Sequence, residues 1–134
     1  MRLHTALLLF AKAGGQILFG TDVGYMTDYD PSVEYELMAH QAGLSPMQIL
    51  ASLTTAPAAR FREAGRRGRI AADMDADLVV LDGDPAVSVA AFTRVRLAIR
   101  AGLILWSKVR ILILVPLHIG GLILLGAGLA LVIY

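Results

Sequence analysis

Asp22 is the residue of this sequence best placed to do chemistry. It follows Gln16-Ile17-Leu18-Phe19-Gly20-Thr21, an apolar run closed by small residues, and Gly24 lies two positions on. A short apolar run of this kind suits a parallel strand covered on both faces. A carboxylate at the C-terminal tip of such a strand can bind a divalent metal and accept the proton of the water that the metal acidifies. Gly20, Thr21 and Gly24 let the backbone approach a ligand closely. Tyr25, Asp28 and Tyr29 follow on a loop at the mouth of this site, which makes them candidates for substrate contact. Gly20-Thr21-Asp22 alone would describe an ordinary aspartate that opens a loop, so its reading depends on what surrounds it.

Other chemistry-bearing residues are weaker candidates. His4, His40 and His118 have no partner at metal-ligand spacing and read as surface or helix-packing residues. Asp73, Asp75, Asp77 and Asp84 imitate a calcium loop, but the sixth position, which needs a Gly, is Leu78, so an acidic solvated turn is expected. The arginines at 60, 62, 66, 67 and 69 could hold a phosphate or carboxylate, yet acidic segments on both sides can neutralise them.

The elements that must position Asp22 have explicit boundaries. Residues 1–13 are rich in helix formers and end at Gly14-Gly15. The same stretch has the outline of a short signal peptide, but Lys12 falls inside the would-be cleavage site, so the helix is preferred. Asp30 and Pro31 open a helix that Gly43 ends, with Glu34 and Glu36 near its positive end. Ser45-Pro46-Met47-Gln48 is a capping box with Pro at the first helical position, and Leu44 and Ile49 are spaced as a hydrophobic staple. Pro57 ends or restarts that helix, and Gly65-Arg66-Arg67-Gly68 turns the chain. Short strands are expected at 69–71, 78–81 and 95–100, the last with Val95, Leu97 and Ile99 inward, and a final one at 103–106 after the Ala101-Gly102 turn.

Composition limits what these elements can build. The chain has 134 residues, and a closed (β/α)8 barrel takes about 250. Its AVILMFWYC fraction of 57% is high for a soluble domain, so part of it is expected to be covered by membrane or by another chain. A net charge of +1 gives no argument for nucleic acid, and the absence of Cys excludes disulfides and thiolate metal sites. Charge stops abruptly: residues 111–134 carry none, after Lys108 and Arg110. That run is long enough for a membrane-spanning helix with its basic flank in the cytoplasm. Gly126 and Ala130 give it one small-xxx-small pair. Read-through sequence appended to a shorter chain is the alternative.

Several motifs occur together and in order: Gly20-Thr21-Asp22, Gly43-Leu44-Ser45-Pro46, Thr54-Thr55-Ala56-Pro57-Ala58, Gly68-Arg69-Ile70 and Asp75-Ala76-Asp77-Leu78-Val79-Val80-Leu81-Asp82. Together they closely resemble the C-terminal end of a metal-dependent amidohydrolase of the imidazolonepropionase-like group, over about residues 11–106. The resemblance implies an α/β architecture. Residues 1–64 would be the last strand and helices of a (β/α)8 barrel, 65–107 half of a composite β-sandwich, and 108–134 an apolar helical tail. It implies that Asp22 is a metal-ligating, proton-accepting aspartate and that the intact enzyme hydrolyses amide-type C–N bonds of a cyclic or dipeptide-like small molecule. The metal would be one or two divalent ions, usually zinc. The His-x-His pair, the bridging Lys or Glu and two further histidines that the family uses are not in this sequence, so metal binding and activity would need the rest of the barrel or a partner chain. Asp73 stands where the family usually has Gly. A reading of another class is a non-catalytic, membrane-anchored interaction subunit; its location would be the membrane, and without the anchor the cytoplasm.

Overall fold

The computed structural model describes residues 3–22, 24–25, 29–108 and 129–133. Helix α1 spans Leu3–Lys12, and Gly14 ends it in the left-handed conformation (φ 82°). Residues 15–20 follow as an extended segment. They form no β-ladder; one backbone bond, from the Phe19 N–H to the Ser52 carbonyl at 3.2 Å, ties the segment to the helices. Its side chains alternate, Ile17 and Phe19 packing on the core while Leu18 faces outward. The expected strand is therefore extended and half covered, because neither neighbour that would complete a parallel ladder is among the described residues.

Helix α2, Ser32–Glu36, starts where Asp30 Oδ1 accepts the Ser32 N–H at 2.9 Å, and widens into a π-helical turn over Leu37–Gln41 that ends at Gly43 (φ 67°). Helix α3, Pro46–Leu53, has the full capping box: Ser45 Oγ accepts from Gln48 N at 3.3 Å and Gln48 Oε1 accepts from Ser45 N at 2.8 Å. The staple residues Leu44 and Ile49 are both buried. Thr54 (φ −130°, ψ −83°) breaks the rod, and α4, Thr55–Arg60, resumes with Pro57 inside its first turn, where its missing N–H costs no helical bond.

The strand expected at 69–71 is absent; these residues follow a tight turn at Gly68. Gly68 has φ 93°, and a Cβ there would lie 2.6 Å from the Cβ of Ala58, so close approach to the α3–α4 junction fixes this loop. The sheet consists of β1 (Leu78–Asp82), β2 (Val95–Arg100) and β3 (Leu103–Ser107), all antiparallel, with Leu129–Ile133 added as β4 on the other side of β1, in the order β3-β2-β1-β4. A 3-10 turn, Val89–Thr93, lies between β1 and β2 and lays Val89, Ala91 and Phe92 into the core. Tyr35, Met38, Leu44, Ile49, Leu53, Val79, Leu81 and Phe92 form that core, so one apolar cluster joins the helices to one face of the sheet.

The apolar helix expected from residue 111 onward is contradicted at its C-terminal end. Residues 129–133 are a strand paired with β1, because their extended backbone finds a complete ladder there. Residues 111–128 lie outside the described residues, and among the described residues no helix is long and apolar enough to cross a membrane.

Two substitutions test how the helical layer is held. Ser45→Ala removes one cap acceptor and is expected to lower stability by about 1 kcal/mol. Ile49→Ala empties a fully buried site and is expected to cost about 2–5 kcal/mol. Urea unfolding with an unchanged m-value is the check, and equal losses from the two would contradict this account of the packing.

Candidate active site

The position of Asp22 is set by Phe19, three residues before it. The Phe19 ring stacks on Tyr35 with centroids 4.9 Å apart and planes 26° apart, and Tyr35 in turn meets Phe92 at 5.3 Å. Tyr35 belongs to α2 and Phe92 to the 3-10 turn beside β1, so the three rings connect the extended segment, the helices and the sheet. Together with the Phe19–Ser52 backbone bond, they fix the direction in which the segment leaves the core. Gly20 has no atom within 4 Å of the place where a Cβ would stand, so the chain runs free toward Asp22.

At Asp22 the backbone turns sharply. Its φ is 50°, in the left-handed region that L-residues other than Asn and Asp rarely enter, and its carbonyl accepts the Tyr25 N–H at 2.9 Å. Gly24 continues the turn with φ 99°. The result is an exposed carboxylate on a tight turn at the end of a segment anchored in the core, the placement a proton-accepting or metal-binding group needs. Tyr25 and Tyr29 are exposed on the same loop, Tyr25 at 90%. Asp28 lies outside the described residues.

The metal expectation meets a limit in the donor set. Among the described residues, no three His, Cys, Asp or Glu side chains come together closely enough to hold an ion. Asp22 offers one carboxylate, whereas a catalytic zinc takes about three protein ligands. The described residues therefore do not by themselves form a metal centre. His40 is paired with Glu36, Nε2 to Oε2 at 3.0 Å, one turn apart on an exposed helix face. His4 lies in α1, and His118 is outside the described residues. Two surface grooves of about 260 and 360 Å³ flank Glu36 and His40, and neither is lined by Asp22, Tyr25 or Tyr29.

The arginine and aspartate runs serve each other. Asp75 Oδ2 is 3.0 Å from both Arg66 and Arg67, and Arg67 also faces Glu63 at 3.2 Å and Asp77 at 3.6 Å. The hydrogen bond that Arg67 donates to Asp75, with the nearby charges of Glu63 and Asp77, raises the Arg67 pKa above its already high ordinary value, so this guanidinium keeps its charge at any working pH. Asp77 is buried, contrary to the solvated turn expected there, and its Oδ1 accepts the Ala101 N–H at 2.8 Å. Arg66 and Arg67 with Asp75 and Asp77 clamp the Gly65–Gly68 turn to the β2–β3 hairpin. Sequence reasoning missed this role of Asp77, although opposite-charge runs about ten residues apart were a signal for it.

The strain at Asp22 can be read in stability. Asp22→Val places a β-branched residue at positive φ and is expected to lose about 1–2 kcal/mol, while Asp22→Gly is expected to be neutral or slightly stabilising. Thermal unfolding of the two variants checks this ordering, and equal stabilities would mean that the turn is not held in the folded chain.

Comparison with known proteins places the chain as a whole in a family. Residues 1–105 match the family model described as "Amidohydrolase family". No curated protein matches the chain. Among solved structures, a prolidase complexed with N-methylphosphonate-L-proline is similar at 31% identity and a TM-score of 0.68, over 78% of this chain and 26% of that one. An amidohydrolase is similar at 27% identity and a TM-score of 0.69, over 78% of this chain and 26% of that one. A Xaa-Pro dipeptidase with methionine bound in its active site is similar at 25% identity and a TM-score of 0.69, over 78% and 25%. The chain thus spans about a quarter of the length of these neighbours. With more than half of its residues inside the family model, the chain belongs to the amidohydrolase family.

Proposed function

We propose that this chain supplies the last site carboxylate, Asp22, of a metal-dependent hydrolase of C–N bonds, and that it is inactive without the rest of the barrel. The observation that carries the reading is the conformation of Asp22: a carboxylate at positive φ, exposed, three residues beyond a half-buried ring packed against the core. Sparsely populated backbone conformations cluster at active sites, and the family match supplies the chemical class. Asp22 would take the proton from the attacking water, a role that requires a carboxylate in its ionised form. The divalent metals that amidohydrolases generally use would be held mainly by residues outside this chain.

The similar prolidase and Xaa-Pro dipeptidase favour a dipeptide-like substrate, with the scissile bond on the nitrogen of a proline ring. Tyr25 and Tyr29, both exposed and shortly after Asp22 in the sequence, and Asp28 between them in the sequence are the residues we assign to substrate contact. Flat aromatic rings suit the apolar body of a proline ring, and their hydroxyls can meet its carboxylate.

The purified chain is expected to bind no stoichiometric zinc and to release no proline from a Leu-Pro dipeptide. Assembled with a chain carrying the first three-quarters of an amidohydrolase barrel, it is expected to do both, and Asp22→Asn is expected to lower kcat by about 10²–10⁴. Hydrolysis by the chain alone, or an assembled Asp22→Asn variant as active as the unsubstituted one, would overturn the proposal.

A further inference from the structure

Two parts of the surface complement each other in charge. The first is the end of α4, which closes as a Schellman motif: the Arg62 N–H donates to the Ala59 carbonyl at 3.2 Å and the Glu63 N–H to the Ala58 carbonyl at 2.7 Å. Arg62 turns the chain at φ 63°, in a position that glycine fills without steric cost. Arg60, Phe61 and Arg62 are all exposed, Phe61 at 69%. Neither of these arginines makes an ion pair among the described residues, whereas Arg66 and Arg67 are both paired with Asp75. The helix thus ends in an exposed ring bracketed by two uncompensated guanidinium groups.

The second part is the larger groove beside Glu36, about 360 Å³ in volume. Glu36, Ala39 and His40 form one wall, Leu44 and Val89 are buried in its floor, and Val87 is 84% exposed on the other wall. Both walls belong to this chain, so the groove does not depend on the rest of a barrel. Each wall carries an exposed acid on its element. Glu36 is held through one contact, with His40; Asp84 opens the turn that carries Val87, its carbonyl accepting the Val87 N–H at 3.1 Å. Residues 60–62 do not line the groove of their own chain.

We propose that Arg60-Phe61-Arg62 of one copy docks in the Glu36–Val87 groove of a second copy, with Phe61 on the apolar floor and the arginines on Glu36 and Asp84. A guanidinium can hold a carboxylate through two parallel hydrogen bonds, where His40 offers Glu36 one. The Phe61 ring supplies apolar area at the centre of the contact, and the charges around it set the orientation. The contact is heterologous, because the surface offered differs from the surface used. Copies therefore add head to tail, and each added copy leaves one groove and one ring free. So small a contact is weak and reversible.

Sedimentation equilibrium of the full chain is the test. The average mass of the unmodified protein is expected to climb with concentration beyond that of a dimer, and to fall toward a single chain at about 0.5 M salt. Glu36→Lys alters the groove alone, and Arg60→Gln combined with Phe61→Ser alters the ring side alone. Each variant by itself is expected to associate about ten-fold or more weakly. Mixed in equal amounts they retain one intact groove and one intact ring between them, so they are expected to pair and to stop at the mass of two chains. Arg62→Gly is expected to weaken association while Tm stays the same or rises, since it removes a charge and relieves a left-handed residue; a purely structural Arg62 would not separate the two readouts. Unmodified chains that stay single, variants that associate as the unmodified protein does, or a mixture that fails to pair would each overturn the proposal.

Discussion

The structure depends on the burial of Tyr35 between Phe19 and Phe92. The three rings come from parts of the chain that share no hydrogen-bonded ladder: an extended segment, a short helix and a 3-10 turn. Each ring contact contributes about 0.5–1.5 kcal/mol beyond the area it buries, a modest energy placed where no backbone ladder could act. The helix bearing Tyr35 has only five regular turn-forming residues before it widens into the π-helical turn, so it is held by packing rather than by propensity. Asp22 inherits its position from this stack. The extended segment can carry an exposed carboxylate on a strained turn because Phe19, just upstream, is fixed on the core.

A second constraint holds the sheet side together. Asp77 and Asp82 bracket β1, one buried against Arg67 and the Ala101 N–H, the other facing Arg96 at 3.7 Å and Lys108 at 3.6 Å. The two ends of the strand thus receive different anchors. Asp77 ties β1 to the arginine turn after α4, and Asp82 ties it to the place where the chain leaves β3. The pairs at Asp82 are partly exposed and individually weak. Asp77 is buried, and its loss would leave the Ala101 N–H without its acceptor, whereas Arg67 would keep Asp75 and Glu63.

How much of this was legible in the sequence depends on the range of the interaction. The capping box at Ser45 and Gln48, the C-terminal glycine at 43 and the hairpin turn at Ala101-Gly102 are local, and each lies where the residues indicate. The apolar run at residues 16–19 has the composition of a covered strand, but a ladder needs neighbours, and without them the run is merely extended. Arg69-Ile70-Ala71 alternates like a strand yet follows a turn fixed by the contact between Gly68 and Ala58, which no window of sequence contains. The charge-free residues 111–134 satisfy the length rule for a membrane helix, while the affinity of residues 129–133 for an apolar strand fifty residues earlier is a non-local fact. For the candidate site, the motif order singled out Asp22, and its positive φ became visible only in three dimensions.

The central claim is that Asp22 belongs to a metal centre completed by residues of another part of an amidohydrolase. The most direct measurement is an anomalous-scattering crystal structure of the chain assembled with the remaining barrel portion in the presence of zinc. The account predicts a carboxylate oxygen of Asp22 at about 2.0–2.2 Å from a zinc ion, with Phe19 still stacked on Tyr35. A fully ligated zinc with the Asp22 carboxylate turned away into solvent would contradict it.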